Sequence, residues 1–122
     1  MSGVLTGLGY VGVQTEALEQ WHRFGAQLLG LQPTRESRSL LTFRMDDIAS
    51  RLFVREASGE AVEFLGWEVR DGAALDAIGA RLEAHGFATA LMTRDLADQR
   101  GVDAALVSAD PAGNRLEFFH GQ

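Results

Sequence analysis

The sequence predicts an α+β fold made of two copies of one strand-helix-strands unit. Three observations predict it: a repeat in the hydrophobic pattern, an amphipathic helix after each copy of the repeated strand, and a turn-then-strand signal closing each copy. The chain has 122 residues, 46% of them hydrophobic and 23% charged, with two prolines and no cysteine. A chain of that length closes a core over about two thirds of its unfolded surface but has no room for a second domain. Residues 1–122 are therefore expected to form a single domain, with modules at about 5–57 and 61–121.

The first strand of each copy carries the repeat. Tyr10-Val11-Gly12-Val13-Gln14 matches Phe64-Leu65-Gly66-Trp67-Glu68 in chemical character at every place, at an offset of 54 residues (64 − 10). The spacing of Leu18, Trp21, Leu28 and Leu29 predicts a first helix from about Glu16 to Leu29, with Thr15 as its N-cap and Gly30 as its stop. Strands follow at about Ser39 to Met45 and Arg51 to Arg55, joined by a turn at Asp46-Asp47. The second helix repeats the plan from about Gly72 to His85. Leu75, Ile78 and Leu82 form its apolar stripe, Asp71 is the candidate cap, and Gly86 stands just past the end. Asp95 to Gln99 has the pattern of one extra helical turn, and Ala104 to Ser108 that of a strand. In Asp110-Pro111-Ala112-Gly113-Asn114 the proline presets φ while Gly and Asn tolerate positive φ, so this segment reads as a tight turn before the last strand. That strand, from Arg115, corresponds to the one from Arg51 at an offset of 64 (115 − 51). The whole reads as βαβββ twice.

Alternation along strands sorts the side chains onto two faces. Val11, Val13, Leu52, Val54, Leu65, Trp67, Leu116 and Phe118 are expected to face the helices. Tyr10, Gly12, Gln14, Arg51, Phe53, Arg55, Phe64, Gly66, Glu68, Arg115, Glu117 and Phe119 fall on the opposite, concave face, where a site is expected.

Composition excludes several classes of function. Without cysteine there is no disulfide, thiolate metal site or thiol redox chemistry, which is compatible with a cytoplasmic location. A formal charge of −6 with scattered arginines argues against a nucleic-acid partner. No apolar run approaches the roughly 20 residues that span a bilayer, and Met1-Ser2-Gly3-Val4 does not open a basic-then-apolar leader, so no membrane partner is expected. P-loop, dinucleotide, nucleophile-elbow and zinc motifs do not occur.

Three stretches resemble a known family. They are Leu8-Gly9-Tyr10-Val11-Gly12, Phe43-Arg44-Met45-Asp46-Asp47, and Gln99-Arg100-Gly101-Val102 leading to Asp110-Pro111-Ala112-Gly113-Asn114-Arg115-Leu116-Glu117. Together with the paired βαβββ plan they resemble the vicinal oxygen chelate superfamily of glyoxalases, bleomycin resistance proteins and extradiol dioxygenases. The chain is most similar to the amino-terminal domain of type I extradiol dioxygenases such as those acting on biphenyl-2,3-diol and catechol. The resemblance implies two modules in a concave, incomplete mixed β-barrel with helices outside. It also implies a carboxy-terminal partner domain of the same parent protein that holds Fe(II) through two histidines and a glutamate and cleaves catechols. Carried over residue by residue, the metal positions fall on Tyr10, Phe64 and Glu117, and the fourth symmetry-related position on Phe53. A non-haem Fe(II) site needs three converging donors, commonly two imidazoles and a carboxylate. Rings stand where both imidazoles would be, so the expectation is a chain with no cofactor or catalytic residue of its own and inactive alone.

The remaining candidates have plainer readings. His22, His85 and His120 read as surface or capping residues, His85 helped by a helix C-terminus. Glu117 is either a relic of a metal site or, the favoured reading, the partner of Arg51 or Arg115, because a carboxylate taken from water needs a counter-charge. Tyr10, Phe53, Phe64 and Phe119 either stack an aromatic ligand or fill the concavity themselves, and filling is favoured. Gly12 and Gly66 make room for bulky neighbours across the sheet. The expected function is thus a structural and assembly domain of an extradiol dioxygenase. The alternative is a free-standing dimeric module, similar to bleomycin resistance proteins, that binds a small apolar or aromatic ligand. Termination at Gly121-Gln122, just past the last strand, reads as a cut before a linker; a homodimer is compatible with exposed strand edges.

Overall fold

The structure, a computed structural model, describes residues 5–37, 39–44, 51–59 and 61–122. By contact density it divides into a first unit, Tyr10–Glu63, and a second unit formed by Phe64–Gln122 with the start of the chain up to Gly9.

In the first unit, β1 (Leu5–Thr15, from Tyr10 onward), α1 (Leu18–Arg23), β2 (Gln32–Glu36), β3 (Leu40–Arg44) and β4 (Leu52–Glu56) give the sheet order β2-β3-β4-β1. β1 and β4 are parallel, with Val11 opposite Leu52 and Val13 opposite Val54. Their helix-facing side chains join Leu41 and Phe43 in a core covered by Leu18 and Trp21 of α1. The strand expected from Ser39 forms from Leu40 to Arg44, while Met45 and the Asp46-Asp47 turn lie outside the described residues. β2 supplies the strand that the βαβββ plan requires and the pattern alone does not locate.

The first helix stops at Gly30 as expected, at φ +73°, but departs from expectation at its start and in its last turns. It starts at Leu18, and Thr15 instead accepts a hydrogen bond from the Ala17 amide at 2.9 Å, shaping the turn before the helix. After Arg23 the backbone widens into a π-helical turn, Phe24–Leu28, in which the Leu29 amide donates to the Phe24 carbonyl at 3.0 Å. The extra residue per turn moves Leu28 and Leu29 off the apolar stripe, and they stand 72% and 53% exposed. Gly25 explains why the helix can come so close to the sheet: a Cβ there would lie 2.5 Å from the Phe43 ring.

The second unit contains β5 (Ala61–Val69, from Phe64 onward), α2 (Gly72–Ala84), β6 (Ala90–Leu91), α3 (Arg94–Arg100), β7 (Ala104–Ala109) and β8 (Arg115–His120), in the order β5-β8-β7-β6. α2 begins as expected, with the Asp71 carboxylate accepting from the Ala74 amide at 2.9 Å. Its Leu75 and Ile78 are buried with Val69 and Phe118, and Trp67, Leu82, Leu106 and Leu116 pack around them. Each such side chain contributes about 1.5–3 kcal/mol when fully buried. The two offsets found in the sequence reappear as register. Adding 54 to Val11 and 64 to Leu52 gives Leu65 and Leu116, which face each other in the parallel pair of β5 and β8.

Candidate functional site

In each unit the face opposite the helices is buried as well as the face toward them. Tyr10 is 1%, Phe53 2%, Phe64 4% and Glu117 0% exposed. In the first unit the register sets Gly12 opposite Phe53. With no side chain at Gly12, the Tyr10 ring two residues earlier meets the Phe53 ring edge-on, centroids 5.6 Å apart at 74°. This T-shaped contact is a favoured geometry for two aromatic quadrupoles.

The second unit has the same backbone relation and different chemistry. Gly66 stands opposite Glu117, and Phe64 precedes Gly66 by two residues. Glu117 reaches this face through a well-defined strand start. The Asp110 carboxylate accepts from the Ala112 and Asn114 amides and from the Asn114 side chain, each at 2.9 Å, and Gly113 adopts φ +88°. Those donors, Asn114 first, hold the Asp110 carboxyl below the usual carboxylate range.

A carboxylate with no exposure needs cations, and two arginines supply them. Arg100 donates through Nε and one Nη to the two Glu117 oxygens at 2.8 and 3.0 Å, with its own side chain 10% exposed. Arg115 adds an Nε bond to the second oxygen at 2.9 Å. The Arg100 guanidinium also lies over the Phe64 ring, Cζ 3.7 Å from its centroid. A forked, bidentate pair of this kind is the strong form of a charge-assisted hydrogen bond.

α3 aims Arg100. Thr93 caps its start, and Gly101, at φ +76°, ends it immediately after Arg100. Arg94 pins the chain beyond, donating to the Asp103 and Val102 carbonyls at 2.7 and 2.9 Å. Of the two partners expected for Glu117, Arg51 and Arg115, the second is found on it, and Arg100 is the partner not expected. The expected extra turn stops at Gln99, one residue short. The available signal was an arginine just before a glycine stop, with an unmatched glutamate on a buried strand.

His85 ends α2, its Nδ1 2.8 Å from the Arg81 carbonyl, His22 is in the last turn of α1, and His120 ends β8. Among the described residues no three His, Cys, Asp or Glu side chains are grouped to hold a metal. At the positions the family resemblance assigns to Fe(II), Phe64 has no donor atom, Tyr10 offers a phenol instead of an imidazole, and both Glu117 oxygens are engaged by guanidinium groups. These residues do not fit the metal. An open depression of about 490 Å³ beside α1, lined by Thr15, Ala17, Gln20, Trp21 and Phe24, was not foreseen.

Known proteins with this architecture define the class. The family described as dihydroxybiphenyl dioxygenase BphC D1 matches residues 8–56. The chain is 32% identical over 114 residues to 3-methylcatechol 2,3-dioxygenase of Pseudomonas putida, covering 93% of this chain and 39% of that protein. It is 31% identical to an iron-dependent extradiol dioxygenase of Rhodococcus jostii, covering 93% and 38%. The crystal structure of BphC, a halotolerant catechol dioxygenase, superposes with a TM-score of 0.94 at 29% identity over 99% of this chain and 41% of that one. The chain thus has the vicinal oxygen chelate fold and belongs to that superfamily. Within it, the chain belongs with the amino-terminal domains of the extradiol dioxygenases. It spans about two fifths of the length of the relatives it matches.

Proposed function

We propose that this chain is the non-catalytic amino-terminal domain of a type I extradiol ring-cleavage dioxygenase of aromatic catabolism, acting in the cytoplasm. Its role is structural: residues 1–122 form one domain that assembles with a carboxy-terminal domain carrying Fe(II). The observation that carries this reading is the state of Glu117, the one metal-type side chain left at the family's ligand positions, which two arginines hold. Relatives more than twice as long, among them a protein named as iron-dependent, support the same reading. The absence of cysteine agrees with a cytoplasmic setting, and among the described residues no helix is long and apolar enough to cross a membrane.

The test has two arms. The purified chain is expected to bind no stoichiometric iron and to open no catechol ring. The same chain joined to the iron-bearing domain encoded downstream is expected to do both. Ring opening by the isolated chain, or a downstream sequence with no second domain bearing two histidines and a glutamate, contradicts the reading. The alternative, a free-standing dimeric module for an apolar or aromatic ligand, predicts a melting temperature that rises with such a ligand. Burial of Tyr10, Phe53 and Phe64 favours the structural role over it, because little ring surface is left for a guest.

A further inference from the structure

We propose that the inner face of the second unit is a binding site for a planar monocation and that Arg100 is its resident occupant, closing the site in cis. The inference stands apart from the parent-enzyme reading, since it concerns only how this unit fills its own interior. The walls come from the sheet. Glu117 on β8 presents two carboxylate oxygens at 0% exposure, and Phe64 on β5 presents its ring face. Gly66, opposite Glu117 in the register, adds no side chain between them. The occupant comes from a separate element, α3, while the walls come from β5 and β8.

The shape of the site selects its guest. Two oxygens at 2.8 and 3.0 Å from one guanidinium fit a fork of parallel N–H donors, and a ring 3.7 Å beneath fits a flat, delocalised charge. An ammonium is compact and strongly hydrated, so it satisfies the carboxylate or the ring poorly. A non-haem Fe(II) site takes three converging protein donors, commonly two imidazoles and a carboxylate. Here such an ion would meet one carboxylate, an aromatic face, and the Arg115 guanidinium already bonded to that carboxylate at 2.9 Å. Arg100 therefore does more than neutralise Glu117: it occupies the place where an ion would sit, and the site it fills discriminates against metal even when vacated.

Chemical rescue tests this on the full chain. Arg100→Ala vacates the site, and millimolar guanidinium or methylguanidinium, far below denaturing levels, is then expected to raise the melting temperature saturably by several degrees. Equal sodium chloride and cobalt(II) are expected to do little. The rise should be absent from the unmodified chain and lost when Glu117→Gln is added. Absence of a guanidinium-specific rise, or a larger one with cobalt(II), overturns the proposal. If Arg100→Ala does not fold, urea midpoints of Arg100→Lys and Arg100→Met decide instead. Both are expected well below that of the unmodified chain, because lysine keeps the charge and loses the fork; a lysine variant as stable as arginine overturns the proposal.

Discussion

The two units solve one packing problem in two ways. Behind the same strand register, the first unit sets Tyr10 edge-on against Phe53, and the second sets Phe64 beneath an Arg100–Glu117 pair. A neutral aromatic pair needs no counter-charge. A buried carboxylate needs a cation brought from elsewhere, and the second unit has an additional helix, α3, that brings it. The repeat offsets already carry this difference: growth from 54 to 64 makes the second copy ten residues longer (64 − 54), and α3 lies in that longer copy. The comparison teaches that equivalent buried positions behind the same register can be filled either by a neutral aromatic pair or by a carboxylate supplied with its counter-charge.

Breaking either solution should produce the largest effects. Arg100→Ala leaves Glu117 short of its main partner and is expected to cost about 3–5 kcal/mol of folding stability, measured by urea denaturation. The double variant Arg100→Met with Glu117→Leu turns the second solution toward the first and should recover most of that loss, because replacing both members of a buried pair removes the charge along with the partner. Recovery of none of it would contradict the account. Phe53→Ala in the first unit should also cost about 3–5 kcal/mol, but with no dependence on salt or on a second substitution at a charged site.

Smaller effects sharpen the contrast. Gly25→Ala would normally favour a helix, yet its Cβ would lie 2.5 Å from the Phe43 ring, so a net loss of about 1–3 kcal/mol is expected. Equal or greater stability would show that the π-helical turn yields more easily than the structure implies. Thr93→Ala removes a hydroxyl 3.3 Å from the Leu96 amide at the start of α3 and should cost about 1 kcal/mol. Because α3 aims Arg100, this loss should shrink once Arg100 is already replaced, a coupling that a double-mutant cycle reads directly.

Acid offers the mildest probe. The Ala74 amide, with Arg70 nearby, holds the Asp71 carboxyl below its ordinary value near 3.8, and Asn114 does the same for Asp110. Both groups have folded pKa values lower than in the unfolded chain. Their contribution is therefore complete above the ordinary carboxylate range and is lost as the pH falls through the folded values. Urea midpoints should hold steady from about pH 7 to about pH 5 with respect to these groups and decline below, less steeply in Asp71→Asn and Asp110→Asn. Identical acid profiles in all three proteins would contradict the assignment.

Much of this fold was legible because its strongest features are local. The repeat, the α2 stripe, its Asp71 cap and the Asp110–Asn114 turn each depend on residues close in sequence, and even the β1–β4 and β5–β8 registers follow from two offsets. The apolar spacing of the first helix is less informative because it keeps one period throughout, whereas contact between Gly25 and Phe43 accompanies a change to a wider turn. β2 and β6 are short edge strands with weak alternation. Alternation places Tyr10 and Phe53 on the inner face of the first unit, and Phe64 and Glu117 on that of the second. It does not place Arg100, since its pairing with a residue seventeen positions away exists only once α3 packs.

The most direct test of the central claim, that Arg100 takes the place a metal ion would need beside Glu117, is anaerobic calorimetric titration of the full chain with Fe(II). No stoichiometric binding is predicted. One equivalent bound tightly, and lost in Glu117→Gln, would contradict it.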